Sequence, residues 1–373
     1  MLKTENKFML KAIDLAKKGR GAVSPNPLVG CVVEKRAKIV ATGFHKKYGS
    51  LHAEAEALKK AGKKTKKATL YVNLEPCAHF GKTPPCVMQI INSGISCVNI
   101  GIKDPNPINN GRGIKILRKA GIKVNIGICK KKATELNLPF IKYMKKKLPF
   151  VTLKMAQSLD GKIATHNMDS KWISCEESRN LAHKMRKNSD AVMVGVGTII
   201  KDDPLLTDRR HQTADIRPQT SGRRQPIKII IDSMLRTPFS SRIFSKKSPA
   251  KTIIAATDLA PKHRVRKFLE KGVDVLLVSS KNKKVDLKSL MKILASRGII
   301  NILIEGGGEL AASAFQEHIL DKIVFFIAPK IIGGRNAKTS VEGHGVDRIL
   351  KAFNVKNITV EKIGSDFLFE GYL

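Results

Sequence analysis

Short apolar runs alternate with stretches of helical periodicity along the whole chain. The opening "MLKTENKFMLKAIDLAKKGR" reads as an amphipathic helix, its apolar Phe8, Ile13 and Leu15 separated by polar residues. "LVGCVVE" and "KIVATGFH" read as a hairpin across "KRA", and a helix follows from about His52. "TLYVNLE" is a strand, followed by a turn-rich loop and a helix opened by Pro84 and Pro85. "CVNIGIKD", a helix near Arg112–Ala120 and "KVNIGI" continue the alternation. The pattern predicts a mixed or parallel sheet with helices against it.

A new unit begins near "KLPFVTLKMAQSLDGKIA". The lysine-rich helix before it, interrupted by Pro139 and stopped by Pro149, reads as a linker. Downstream strands are "AVMVGVGT", "IKIIID", "TIIAAT", "DVLLVS", "NILIEGG", "KIVFFIAP" and "DFLFEGYL". Helices are expected near Glu176–Lys187, Pro261–Lys271, Leu287–Arg297 and Glu309–His318. "TDRRHQTADIRPQTSGRRQP" reads as a mobile loop. The chain of 373 residues thus divides into a first domain over 1–146 and a second over 147–373, both α/β.

Composition narrows the class. With 42% hydrophobic residues the protein is globular, and no apolar run approaches the roughly 20 residues that cross a membrane. The N-terminus lacks an unbroken apolar region and a small-residue cleavage site, so a cytoplasmic location is expected. Six cysteines are too few for a disulfide scaffold. Cys31, Cys97 and Cys129 adjoin apolar strand-like runs and read as small buried thiols, whereas Cys77 and Cys86 are flanked by turn residues. A net charge of +38 would concentrate any anion, polymer or phosphorylated metabolite. The lysines are spread out and aromatics are only 5%, so a nucleic-acid partner is not expected.

The candidate chemistry starts at "LHAEAEAL". His52, Cys77 and Cys86 make a three-ligand set suited to zinc, with a fourth position for water. Soft thiolates argue against magnesium or calcium. Zinc lowers the pKa of bound water towards about 7, and Glu54 would shuttle its proton to departing ammonia. Residues two apart on a regular helix diverge by about 200°, so His52 must sit before helical dihedrals are established. Pro84 and Pro85 place Cys86 in the first turn of the next helix.

His-Ala-Glu at a helix start, then a strand ending Glu-Pro-Cys, resembles the zinc-dependent nucleoside and base deaminases. The eight residues "AHFGKTPP" between the cysteines depart from the two found in many of them. "EPCAHFGKTPPC", "SPNPLVGCVV" and "DPNP" are similar instead to the bifunctional deaminase/reductase family of riboflavin biosynthesis. "MAQSLDGKIA", "SKWIS", "VGVGTIIKDDPLLTDR", "IDSMLRTP" and "IEGGGEL" resemble its reductase half. The resemblance implies a cytidine-deaminase-like three-layer α/β/α domain and a dihydrofolate-reductase-like α/β domain. It implies deamination of a phosphoribosylated diaminopyrimidinone and then reduction of its ribosyl group to ribityl. It carries the zinc ligands to His52, Cys77 and Cys86 and the proton shuttle to Glu54. It places Asn26, His45, His79, Lys82 and Asp104 at the deaminase pocket. Read alone, His79 and Lys82 are equally solvated loop residues, and Asn26 a turn residue.

Reduction needs hydride, which no side chain supplies, so a nicotinamide cofactor is required. No Gly-x-Gly-x-x-Gly follows a strand in a Rossmann setting. "NILIEGGGELAASAF" offers a strand, Gly306–Gly308 and a helix, whose bare backbone suits a phosphate; Gly195 and Gly197 offer a second close approach. By resemblance, Ala156, Trp172, Thr198, Asp202, Ser233, Gly307, Gly308, Glu309, Leu310, Ala311, Ala312 and Ser313 contact NADPH. Ser170, Arg186, Leu206, Arg209 and Glu305 face the substrate. Arg186 and Arg209 offer guanidinium forks for a phosphate, although Arg186 also reads as a surface arginine and Trp172 as a core residue. A homo-oligomer formed through the reductase domain is expected. Two alternatives stand beside this reading. One is a tRNA-editing deaminase with an RNA-binding second domain; the other is a structural zinc protein, against which three ligands beside a Glu argue.

Overall fold

The computed structural model describes residues 2–80, 84–206, 225–245 and 250–373, with side chains from Asn6 onward. Most of the polar stretch expected to be a mobile loop lies outside the described residues, as do Lys82 and Arg209. The chain divides into two units, Met1–Leu148 and Pro149–Leu373.

The first unit runs α1 (Leu2–Ala16), β1 (Gly30–Lys35), β2 (Lys38–Phe44), α2 (Ala53–Ala61), β3 (Thr69–Leu74) and α3 (Cys86–Asn92). It continues through β4 (Cys97–Ile102), α4 (Arg112–Lys119), β5 (Lys123–Ile126), α5 (Lys130–Leu136) and α6 (Leu138–Lys146). Its five strands lie in the order β2-β1-β3-β4-β5. β1 is antiparallel to both neighbours, and β3, β4 and β5 are parallel. Successive strand side chains point to opposite faces. Leu70 and Val72 pack with Ala57, Val87, Ile90 and Leu117 of α2, α3 and α4. Tyr71 packs on the other face with Phe8, Met9 and Ala12 of α1 and Phe140 of α6. Apolar residues on both faces therefore produce the three-layer arrangement.

The lysine-rich segment is not a linker. It forms α5 and α6, separated by the buried Asn137, and its apolar residues Leu136 and Phe140 enter the core with α1. Lysines on the wet side had masked an amphipathic pattern. Of the three cysteines read as buried, only Cys31 is; Cys97 and Cys129 are half-buried.

The second unit runs β6 (Phe150–Ser158), α7 (Glu176–Asn188), β7 (Ala191–Gly195), α8 (Val196–Asp202), β8 (Ile227–Ile231), β9 (Thr252–Thr257), α9 (Lys262–Glu270) and β10 (Asp274–Val278). There follow the short hairpin β11 (Ser280–Lys281) and β12 (Lys284–Val285), then α10 (Leu287–Ser296), β13 (Asn301–Glu305), α11 (Gly308–Gln316), β14 (Lys322–Ala328), β15 (Lys356–Ile363) and β16 (Asp366–Tyr372). The large sheet has the order β10-β9-β8-β7-β13-β6-β14-β16-β15. The pairs from β10 through β14 are parallel and the last two antiparallel. Strand β13 returns between β7 and β6, the kind of reversal that opens a crevice at the carboxyl ends of strands.

Two elements differ from expectation. "AVMVGVGT" ends as a strand at Gly195, and Val196 and Ile199 then bury one side of α8. Gly197 and Thr198 therefore sit on a helix rather than a strand. β15 was not foreseen, because almost all of it is exposed and no apolar alternation marks it.

Candidate active sites

In the first unit, two helix starts and the end of a strand converge. His52 is the residue before α2, with extended backbone (φ −71°, ψ 160°), so its ring leaves the helix axis while Glu54 enters the first turn. Cys86 is the first residue of α3, behind Pro85. Cys77 follows β3 by three residues. His52 Nδ1 lies 3.5 Å from Cys77 Sγ and 3.3 Å from Cys86 Sγ. All three donor atoms fall within 4.8 Å of one another. Tetrahedral zinc, with Zn–N about 2.0 Å and Zn–S about 2.3 Å, places nitrogen and sulfur about 3.5 Å apart. The donor set therefore fits zinc in chemistry and in spacing.

Electrostatics follow from burial. The backbone N–H of Cys86 donates to Cys77 Sγ at 3.3 Å. Hydrogen bonding to Cys86, reinforced by His52, pulls the Cys77 thiol down to about 4, while Cys77 and burial push Cys86 up. The sulfur of Cys77 in turn raises His52. Glu54 is buried at 3% exposure, and desolvation pushes its carboxyl up to about 7. A carboxyl so placed can take and return a proton near neutral pH.

His52, Glu54 and Cys77 open onto a cavity of about 260 Å³ lined also by Asn26, His45, His79 and Asp104. The sequence-predicted pocket residues are thus brought together, except Lys82, which is not described. His45 Nδ1 approaches the Leu51 carbonyl (3.1 Å) and its Nε2 the Asn26 amide (3.1 Å). Burial keeps that imidazole below its ordinary pKa, so Nδ1 donates and Nε2 accepts. His79 Nδ1 is buried and has no partner among the described residues. Sequence reasoning missed Phe140 and Met144 of α6, which wall the cavity, because their segment was read as a linker. It also missed Asn73 and Asn137. Both bond the backbone of Leu28 and so hold the Asn26 turn against the cavity.

In the second unit Glu305 ends the parallel strand β13, Gly306 and Gly307 follow it, and Ser233 lies just past β8. The fork of Arg186, expected to meet a phosphate, is taken instead by Glu305: Nε donates to Oε1 at 2.6 Å and Nη2 to Oε2 at 2.7 Å, and the half-buried side chain is not a surface arginine. Burial works to raise Glu305, but the Arg186 charge and hydrogen bonds outweigh it and the carboxyl stays low. Gly306 and Gly307 have φ of +67° and +79°, and a Cβ on Gly307 would sit 3.5 Å from Thr198 Oγ1. This bare cradle at the start of α11 fits the phosphate of a dinucleotide. Gly308 is pressed on by residues 339–342, where a Cβ would lie 2.5 Å from the Thr339 carbonyl.

The remaining positions divide by exposure. Leu310, Ala311 and Ala312 are buried, so they reach a cofactor only through backbone. Glu309 is exposed beside Lys284, and Ser313 donates to the Glu309 carbonyl. Ser233 accepts from Val285 N at the end of β8. Trp172 is 65% exposed with the Arg179 guanidinium 4.7 Å over its ring, which removes the core reading. Ala156 is half-buried on β6, Ser170 is half-buried and Asp202 is exposed on α8. Leu206 buries its side chain in the core with Val194 and Ile230 and keeps only backbone for a ligand.

Comparison with known proteins identifies the class. A family model for the "cytidine and deoxycytidylate deaminase zinc-binding region" matches residues 2–102, and one for the "RibD C-terminal domain" matches 149–369. The protein is therefore a two-domain enzyme, a zinc-dependent deaminase followed by an NADPH-dependent reductase. The Aquifex aeolicus riboflavin biosynthesis protein RibD is 43% identical over 98% of this chain and 97% of its own. That of Escherichia coli is 37% identical over 96% of this chain and 96% of its own. A Thermotoga maritima structure described as a diaminohydroxyphosphoribosylaminopyrimidine deaminase/5-amino-6-(5-phosphoribosylamino)uracil reductase superposes with a TM-score of 0.85. It is 37% identical and covers 100% of this chain and 99% of its own. The chain belongs to the RibD family of riboflavin biosynthesis. A reductase over 149–369 disfavours the tRNA-editing alternative, which required an RNA-binding second domain. Among the described residues no helix is long and apolar enough to cross a membrane.

Proposed function

We propose that the first unit hydrolyses the amino group of a phosphoribosylated diaminopyrimidinone and that the second reduces the ribosyl group of the product to ribityl. The observation that carries this is a buried Glu54 beside a His52/Cys77/Cys86 triad whose spacing matches tetrahedral zinc. The substrate class is taken from the Thermotoga maritima relative.

His52, Cys77 and Cys86 would hold a zinc ion, whose chemistry there would be to lower the pKa of a water towards about 7. Glu54 accepts the proton given up by the attacking water and returns it to the nitrogen that leaves as ammonia. The ring carbon exchanges its C–N bond for a C–O bond. Asn26, neutral His45, His79 and Asp104 orient the pyrimidine, and Lys82 serves its phosphate. Phe140 and Met144 wall the pocket that receives the pyrimidine.

In the second unit NADPH supplies the hydride. Thr198 and the backbone of Gly307–Ser313 would receive its phosphates. Ala156, Trp172, Asp202 and Ser233 flank it. Ser170, Arg186, Leu206, Arg209 and Glu305 bind the phosphoribosyl substrate, with the Arg186–Glu305 pair holding each other's geometry. The enzyme works in the cytoplasm as a homo-oligomer joined through its reductase domain.

The test is to supply zinc, NADPH and the diaminopyrimidinone phosphoriboside to purified protein. Ammonia release followed by loss of NADPH absorbance is expected. Ammonia without NADPH consumption would leave the second half of the proposal without support, and neither signal would remove it altogether.

A further inference from the structure

The loop carrying Cys77 is gripped from behind by a residue on the connection between β4 and α4. Asn109 is fully buried. Its Oδ1 accepts from the Ala78 N–H at 2.8 Å, and its Nδ2 donates to the Pro76 carbonyl at 3.3 Å and to Asp104 Oδ2 at 3.0 Å. Pro76 and Ala78 flank the zinc ligand on either side. Asp104 lines the cavity that the ligand faces. One amide therefore ties both peptide groups around a ligand to a carboxylate of the substrate pocket.

The surroundings hold Asn109 in place. Glu75, immediately before Pro76, accepts from the backbone N–H groups of Asp104 (3.0 Å), Gly111 (3.0 Å) and Ile114 (3.2 Å). A Cβ on Gly113 would lie 2.3 Å from the Pro76 carbonyl, so α4 presses directly on the cysteine loop. Removing the amide would strand a buried N–H and a buried carbonyl, and an unpaired buried polar group is costly. The loop would relieve that by turning the two peptides around Cys77, which moves Sγ relative to His52 Nδ1.

We propose that Asn109 is a positioning residue of the deaminase centre: it fixes the Cys77 sulfur and the Asp104 carboxylate relative to one another. Zinc retention and substrate orientation then depend on the same side chain. The inference rests on the zinc-deaminase reading of this site.

The experiment uses zinc-loaded full-length Asn109→Ala and Asn109→Asp. The second keeps shape and the acceptor for Ala78, loses the donor to Pro76, and sets a charge against Asp104. Zinc release to a chromophoric chelator should be about tenfold faster in both. Deaminase kcat should fall by a similar factor at saturating zinc, and KM should rise further in Asn109→Asp. Reduction of already deaminated substrate should be unchanged. If Asn109→Ala does not fold, the isosteric Asn109→Asp decides. Zinc release and kcat within twofold of the parent would overturn the inference. So would a lower melting temperature with unchanged zinc release, which would make Asn109 an ordinary loop brace. A parent enzyme that bound no zinc would remove the underlying reading, and this inference with it.

Discussion

In the first unit the reactive atoms belong to side chains: one imidazole, two sulfurs and a carboxyl, all at a helix start except Cys77, which lies just past the end of a strand. In the second, much of the proposed cofactor site is bare backbone, as at Gly306 and Gly307, with the buried Leu310–Ala312 behind it. A side-chain site is unforgiving, because each position demands one residue type and a single atom change removes the chemistry. A backbone cradle asks only for the right dihedrals and the absence of a Cβ. Substitutions in the two sites should therefore fail in different ways, and each unit serves as the control for the other.

The largest effect is expected from Glu54→Gln. Removing a general acid–base group costs about 10²–10⁴-fold. Full burial, with no second carboxylate assigned to the role, puts this case near the upper end. Zinc content by elemental analysis and reduction of pre-deaminated substrate should both remain at parental levels. A joint loss of both activities would show that the sites are not separable.

Cys77→Ser comes next. It replaces a thiolate whose pKa lies near 4 with a hydroxyl that stays protonated. Zinc stoichiometry should fall below one, and deamination should drop about a hundredfold. Full zinc occupancy in the purified variant would remove Cys77 from the ligand set. Gly307→Val probes the other kind of site. A β-branched residue at φ +79° carries strain of about 1–3 kcal/mol and fills the cradle beside Thr198. The KM for NADPH should rise about tenfold while deamination is untouched, and an unchanged KM would dissociate the glycines from the cofactor.

The same contrast explains what was legible in the sequence. The triad could be read because residue type carries its chemistry, and because His-x-Glu cannot share a helix face unless the His precedes the helix. The strands were legible as apolar runs bounded by turn residues. Asn109, Glu75, Asn73 and Asn137 were not, since an asparagine or glutamate acquires its role only from the backbone groups the tertiary fold brings to it. α6 was misread because its lysines dominate its composition while Phe140 and Met144 face inward. α8 was hidden in a run whose glycines fit a strand end and a helix start equally well.

The smallest prediction sharpens the comparison within a single helix. Glu54 and Glu56 are identical residues two positions apart in "HAEAEA", yet burial pushes one up to about 7 while the other sits at about 2. Burial also works to raise Glu56, but Lys60 (2.7 Å), Lys46 (2.9 Å) and the Phe44 N–H (3.2 Å) more than offset it. A carboxyl depressed by folding stabilises the native state above its unfolded pKa of about 4.3, and that contribution is lost as pH falls towards 2. Because both lysine ends are more than half exposed, screening leaves it at about 1 kcal/mol. Glu56→Gln should therefore lower the melting temperature of the deaminase unit by about 3 °C at pH 7 and by almost nothing at pH 2, without changing zinc content. An equal loss at both pH values would mean that Glu56 acts by packing rather than by charge. The opposite shifts of the two carboxyls would then no longer separate catalysis from scaffold on this helix.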